Sequence, residues 1–212
     1  MADTTVAERQ GSVLRHTLGL FTDPKAAWAT IREHHYSVFE CYTRHTLILA
    51  LLPALAGFIG TTQIGWQIGT SEVVRLTVGS GLRIAVLYYL AMLIAVYSVG
   101  WVIHWMGKTY GAEQPFSQCL VLASFTATPL FLIGIMQLYP ILWLNLVLGL
   151  PALGYTVYIF YTGVPIMMQI PEERGFLFSS AVMAFGLVAL VAMLAASAIL
   201  WGIGIEPVFV PG

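Results

Sequence analysis

The chain has 212 residues, of which 58% are hydrophobic and only 9% are charged, and its net charge is −1. A soluble domain carries about 25% charged residues. The composition therefore excludes a water-soluble globular protein, predicts an all-α integral membrane protein, and gives no support for nucleic-acid binding.

The first predicted element is an amphipathic helix over 23–45, which with the residues before it forms a cytoplasmic arm, 1–45. Thr22 or Asp23 can cap this helix and Pro24 fits its first turn. At 100° per residue the apolar side chains share one face, which we expect to contact lipid, a groove on the bundle or a protein partner. The predicted contact residues are Trp28, Ile31, His35, Val38, Phe39 and Tyr42.

The same helix contains a candidate metal site. On a helical wheel, His34, Cys41 and His45 cluster within about 40° on one border of the apolar face. Imidazole and thiolate are ligands for zinc and copper, and Cys41 and His45 are one turn apart. His34 lies about 10 Å further along the axis and would need help from other residues. The favoured alternative is that these are histidines at the membrane interface, whose rings contact apolar surface while their polar nitrogens stay in water.

Five apolar stretches form the predicted membrane domain, 46–212, since a bilayer crossing needs roughly 20 residues. Seven lysines and arginines fall in segments on the same side of the membrane as the N-terminus, and two fall in segments on the other side. We therefore expect a cytoplasmic N-terminus and a C-terminus across the membrane. Pro140 predicts a tight hairpin between the third and fourth spans. The predicted spans are 46–63, 83–106, 117–138, 141–168 and 176–204.

The third span contains the most prominent polar segment, "SFTATPLFLIG" (124–134). Its hydroxyls can bond to carbonyls that Pro129 releases, which predicts a kink. The kink is either packed structure, the favoured interpretation, or part of a polar groove. Asn145 in the fourth span is expected to bond a neighbouring helix. The candidate groove residues are Ser124, Thr126, Thr128, Pro129 and Asn145.

Three short motifs resemble the bacterial Yip-domain family. "FTDPKAAWATIREH" resembles its "dP…W..I" opening, "FTATPLFLIGI" its "S..P..L..I" stretch, and "YTGVPIMMQIPEERGF" the end of its fourth span with the following loop. The resemblance implies a five-helix Yip-type fold in the bacterial cytoplasmic (inner) membrane with a cytoplasmic N-terminus. Eukaryotic relatives bind Rab-type GTPases, but "GKTYGAEQPF" stands here in place of their "DLYGP" element, so that role is not carried over.

Three functions fit these observations. The leading hypothesis is a non-enzymatic scaffold, partner-binding or membrane-organising module without a cofactor, because no catalytic constellation accompanies Ser124. Its partners would be membrane lipid, a protein at the cytoplasmic face, or a second copy of the chain packed through small residues of the last span. The alternatives are a small transporter or channel using a polar groove around the third span, and a metal-binding membrane protein.

Overall fold

The computed structural model describes residues 15–66, 73–202 and 209–211, with side chains up to residue 188 and at 191, 195 and 199. Residues 15–22 are helical, and the helices that follow are numbered in chain order. They are α1 (Pro24–Glu33), α2 (Val38–Ile64), α3 (Val78–Tyr110), α4 (Phe116–Leu138), α5 (Leu142–Met168) and α6 (Glu172–Gly202). A short strand β1 (Val74–Leu76) pairs antiparallel with β2 (Phe209–Pro211).

Four helices, α2 to α5, are long and apolar enough to cross a membrane. They cover the first four predicted spans apart from residue 141, which confirms an all-helical membrane protein, and only three residues separate α4 from α5. The fifth predicted span overlaps α6, a helix of 31 residues. Its last two positions, 203 and 204, lie outside the described residues, and its membrane crossing stays a prediction.

The prediction of one continuous helix over 23–45 is wrong, because the chain breaks between α1 and α2. The backbone of His35 has φ +48°, in the left-handed region that interrupts a right-handed helix. Ser37 then caps α2 by accepting a hydrogen bond from the Glu40 N–H at 3.1 Å. Asp23 does cap α1, accepting from the Ala26 N–H at 3.1 Å. Side chains before and after the break therefore do not share the face that the wheel assumed.

Residues 15–33 form a helical hairpin, called here the N-terminal hairpin. Gly19 lies so close to Ala27 that a Cβ at position 19 would stand 3.2 Å from the Ala27 Cβ. The Nδ1 atom of His16 lies 2.8 Å from the hydroxyl of Tyr36, at the open end of the hairpin. The segment 15–22 thus runs back along α1.

The N-terminal hairpin packs along the second half of α5. The Tyr155 hydroxyl donates to the Leu20 carbonyl at 2.7 Å. Since Tyr155 precedes the end of α5 by 13 residues, the tip of the hairpin reaches about 20 Å from that end. Residues 15–33 of the predicted arm therefore pack on the bundle, which is one of the placements expected from the sequence.

The core lies around α4, whose residues 119–125 are all buried. By contrast, α3 exposes large apolar side chains such as Leu87, Ile94 and Trp101, as expected for a surface that faces lipid. The helix α4 is interrupted at Ala127, two residues before Pro129, where a kink was predicted. The helix α2 is also irregular, with a π-helical turn at Tyr42–Thr46.

Candidate functional site

The two irregular points of α2 and α4 meet and form a buried polar cluster, defined here as Cys41, His45, Ser124 and Thr128. His45 lies in the π-helical turn and is 1% exposed. Its Nε2 atom is 3.1 Å from the Thr128 hydroxyl, and its ring stacks on Phe125 with centroids 4.2 Å apart. A π-helical turn changes the direction of the side chains around it. The structure thus joins two sites that the sequence analysis treated separately.

Several polar atoms in and beside the buried polar cluster have no partner among the protein atoms. They include His45 Nδ1, Thr46 Oγ1 and Ser124 Oγ. The Cys41 thiol is close enough to Ser124 to act as its hydrogen-bond partner, although the contact is too poorly aligned to count as a regular bond. His45 Nδ1 and Thr46 Oγ1 are therefore the clearer unmet atoms. Buried polar atoms are usually bonded, and each exception costs about 1–3 kcal/mol. The cluster therefore has hydrogen-bonding capacity that the described protein does not meet.

The structure does not bring the third candidate metal ligand, His34, to Cys41 and His45. His34 lies at the break after α1, with its ring 4.3 Å from Tyr36 and 5.5 Å from His16. Among the described residues, no three histidine, cysteine or acidic side chains come close enough to hold an ion. The spacing of His34, Cys41 and His45 assumed one unbroken helix, and the break at His35 removes that register.

The candidate groove residues have different surroundings from those predicted. Ser124 and Thr128 are buried and Thr126 is half-buried. The open groove beside Pro129 has a volume of about 410 Å³ and an almost wholly apolar lining, which besides Pro129 consists of Phe21, Leu132, Ile133, Ala152 and Tyr155.

Asn145 does not bond a neighbouring helix, so that prediction is wrong. Its amide donates to the carbonyls of Tyr139 at 2.8 Å and Ile141 at 3.0 Å. Both acceptors lie in the short turn before α5, which folds back within reach of the amide. Asn145 therefore stabilises the turn between α4 and α5.

The six predicted contact residues do not form one surface. Trp28 and Ile31 are buried against the bundle, and a Cβ at Gly163 would stand 2.5 Å from the Trp28 indole. Tyr42 donates its hydroxyl to the Leu93 carbonyl. The remaining three, His35, Val38 and Phe39, are exposed.

Side chains from three segments cap the end of α5, and the sequence analysis did not identify them. Arg32 donates to the Ile166 carbonyl at 3.3 Å and Gln114 to the Met168 carbonyl at 3.3 Å. Gln118 donates to the Met167 carbonyl. The last four carbonyls of a helix have no intrahelical partner, and a cation there also complements the helix dipole. No local pattern in the sequence links these side chains to the end of α5, because the partners are 49 to 134 residues apart.

His16 was also not predicted as a functional residue, because the segment 15–22 was not expected to be helical. It is buried and bonds Tyr36. Burial, with the nearby His34 and Arg15 charges, lowers the pKa of His16 below its usual value. The neutral ring is therefore the form that the packed hairpin favours.

Comparison with known proteins gives a family and a relative. The family model for the Yip1 domain matches residues 18–193. The chain is 41% identical over 191 residues to inner membrane protein YohC of Escherichia coli strain K12, covering 90% of this chain and 98% of the relative. The YohC protein of a second E. coli strain, O6:H1 CFT073, matches equally well. No solved structure matches the chain.

Proposed function

Given that this chain belongs to the Yip1-domain family and is a multi-pass inner membrane protein, we propose that it is a non-enzymatic membrane-organising module that holds a protein partner. The contact lies at the end of the bundle formed by residues 33–44, 108–116 and 168–174, called here the N-terminal face. The packing of the N-terminal hairpin decides which apolar side chains stay exposed at this face.

The exposure of Phe39 carries this proposal. Trp28 and Ile31 are used to fix the N-terminal hairpin to the bundle, whereas Phe39 stays 78% exposed at the beginning of α2. Glu40 and Arg44, 3.7 Å apart, follow it directly and mark the polar border of the first span. A large aromatic residue at such a border is suited to anchor a partner or the membrane interface.

The enclosure of the buried polar cluster supports a non-enzymatic role. His45 and Ser124 are the groups that could act as base and nucleophile, and both are at most 1% exposed. A substrate must come within about 3 Å of such groups. Reaching them would require α2 and α4 to separate.

The charges support a cytoplasmic N-terminal face. Of the eight described lysines and arginines, only Arg75 and Arg83 lie at the opposite end of the bundle, and Lys25 lies near the tip of the N-terminal hairpin. Cytoplasmic segments are enriched in these residues. With five crossings the C-terminus would lie in the periplasm. The other five described lysines and arginines, which lie at or beside the N-terminal face, are Arg15, Arg32, Arg44, Lys108 and Arg174.

Site-specific photo-crosslinking in cells tests the partner contact. A photoreactive amino acid replaces Phe39, and the control position is Ile94, which is 65% exposed in the middle of α3. We expect discrete protein adducts from position 39 and lipid adducts alone from position 94. The adducts of a second crosslinker at position 38 should be lost in Phe39→Asp and kept in Phe39→Leu. Equal adducts from positions 39 and 94 would contradict the proposal.

A transporter is the second candidate, and the buried polar cluster favours it. Unmet hydrogen-bonding atoms between a π-helical turn and a helix break are typical of a region that can change its packing. Proteoliposome flux with a panel of ions and metabolites tests this function. A flux through this region should fall in His45→Leu, and no flux in the wild type would remove the candidate.

A further inference from the structure

We propose that a small pocket at the N-terminal face binds a phosphoryl group, with the guanidinium of Arg32 as its main ligand. This site is separate from the partner contact at Phe39, and either can fail without the other. The pocket has a volume of about 70 Å³ and lies where α1, α4 and α5 meet. Its lining consists of Ile31, Arg32, His35, Tyr36, Pro115, Ser117, Gln118, Val121 and Met167.

The size of the pocket fits a tetrahedral oxyanion. A single buried water needs about 10–15 Å³ of space measured in the same way. A volume of about 70 Å³ therefore holds several waters or one phosphoryl group. It has no room for a larger headgroup, so glycerol or acyl parts of a lipid would stay outside.

The polar part of the lining contains one cationic donor, Arg32, among neutral polar side chains. Arg32, His35 and Ser117 bring N–H and O–H groups, and no carboxylate contributes to the lining. The backbone acceptors nearby are already occupied, since the Ile166 and Met167 carbonyls accept from Arg32 and Gln118. A site with a guanidinium and no carboxylate favours an anion over a cation.

Arg32 keeps most of its binding capacity. A guanidinium has five N–H donors, and the structure assigns one hydrogen bond to it, at 3.3 Å to Ile166. In the described part of the chain the ion pair is Glu40 with Arg44, so Arg32 has no acidic partner there. Its fork of N–H groups matches phosphate oxygens.

The backbone at His35 holds the second donor at the pocket. A non-glycine residue at φ +48° is uncommon and costs free energy, and such residues concentrate at functional sites. Here that conformation ends α1 and places His35 in the lining beside Arg32. Ser117, in the first turn of α4, completes the set from the opposite side.

Two sources can supply the phosphoryl group, an anionic lipid headgroup or free phosphate. The lipid is favoured by the position of the pocket, because Ser117 is the second residue of a membrane-spanning helix. Headgroups lie at that level of a bilayer. The ligand chemistry is the same for both sources, and the experiment separates them.

Native mass spectrometry of delipidated protein tests the proposal with dioleoyl-phosphatidylglycerol, and with dioleoylglycerol as the probe without phosphate. We expect one saturable phosphatidylglycerol site. Arg32→Gln should weaken it about tenfold, because charged hydrogen bonds are worth more than neutral ones. The matched control is Lys25→Gln, which removes an exposed cation of the same helix outside the pocket and should leave binding unchanged.

Inorganic phosphate is the third probe. Competition with phosphatidylglycerol would show that the pocket recognises the phosphoryl group alone. Arg32-dependent lipid binding without such competition would show that the ligand is the lipid. The proposal is overturned if dioleoylglycerol binds equally well, or if Lys25→Gln weakens binding as much as Arg32→Gln does.

Because Arg32 also caps α5, two further variants keep the test valid if Arg32→Gln fails to fold. Ser117→Ala and His35→Ala leave the capping bonds intact, and each should weaken phosphatidylglycerol binding about threefold. Wild-type affinity in both variants would contradict the site.

Discussion

The indole N–H of Trp28 donates a 2.9 Å hydrogen bond to the carbonyl of Ile159, 131 residues further along the chain. This bond fixes the N-terminal hairpin to the middle of the second half of α5. It also explains why a tryptophan in an apparently amphipathic arm has 0% exposure. Trp28, one of the six predicted contact residues, is a core residue instead.

Replacing Trp28 should therefore destabilise the fold. We expect Trp28→Ala to cost about 3–5 kcal/mol, as for other large buried aromatics, and Trp28→Phe to cost about 1 kcal/mol for the lost hydrogen bond. Phe39→Ala is the control, because an exposed side chain contributes within about 0.5 kcal/mol. Chemical unfolding in detergent measures all three. Equal losses for Trp28→Ala and Phe39→Ala would contradict the docked hairpin.

Gly163 provides a second test of the same contact. A Cβ there would stand 2.5 Å from Trp28 Cε2 in the indole ring, so Gly163→Ala should displace the hairpin and cost about 1–3 kcal/mol. Gly149 is in the same helix and has nothing within 4 Å of an added Cβ. Thermal unfolding should show a lower Tm for Gly163→Ala only. A matching drop in Gly149→Ala would show that the effect is not due to Trp28.

The stability of the N-terminal hairpin should depend on pH through His16. Its pKa is lowered in the folded protein from an ordinary value of 6.5. A lowered basic pKa means that the unfolded state binds the proton more tightly. Stability should be complete above about pH 6.5 and fall as the pH drops below it.

The measurement is Tm at pH 7.5, 6.5 and 5.5. His16→Gln should flatten the pH dependence, although it also weakens the contact with Tyr36, whereas the exposed His35→Gln should leave it in place. The charged or titratable neighbours of His16 are Arg15, His34 and Tyr36. An unchanged slope in His16→Gln would assign the dependence to one of them.

The buried polar cluster should give a non-additive double-mutant cycle. Either His45→Leu or Thr128→Val alone leaves the other polar group without its 3.1 Å partner, at a cost of about 1–3 kcal/mol. The double variant removes both groups and should be more stable than the sum of the single effects implies. Unfolding free energies in detergent measure the coupling, and strict additivity would show that the two side chains do not interact.

Cysteine labelling tests the orientation of the bundle. Lys108 and Arg83 are exposed near opposite ends of α3, so Lys108→Cys and Arg83→Cys form a matched pair. Cys41→Ala and Cys119→Ala remove the buried native thiols. A membrane-impermeant maleimide should label intact spheroplasts at position 83 and reach position 108 only after permeabilisation. The reverse pattern would invert the proposed topology.

Local chemistry made several elements predictable. The length and apolarity of the spans determined four of the helices, since backbone groups in lipid must be paired within a helix. Asp23 and Pro24 determined where α1 begins, because a carboxylate cap and a proline in the first turn act on neighbouring residues. Pro129 likewise indicated the interruption of α4 at Ala127.

Periodicity was misleading between Glu33 and Val38. The wheel continued the helix through His35, because histidine is compatible with a helix and no glycine or proline marks the end. The left-handed backbone at His35 has a small local cost, which the burial of Trp28 and Tyr36 on the bundle can offset. A helix pattern has no information about such a tertiary gain.

The amino-acid sequence by itself determined that this is a helical membrane protein, where four of its spans lie, and its family. The tertiary structure alone decided which polar residues meet. His45 and Thr128 are 83 residues apart, and Arg32 and Ser117 reach one pocket from separate helices. Such pairs depend on how helices pack, and packing between apolar helices in lipid is set by shape and a few hydrogen bonds rather than by any local pattern.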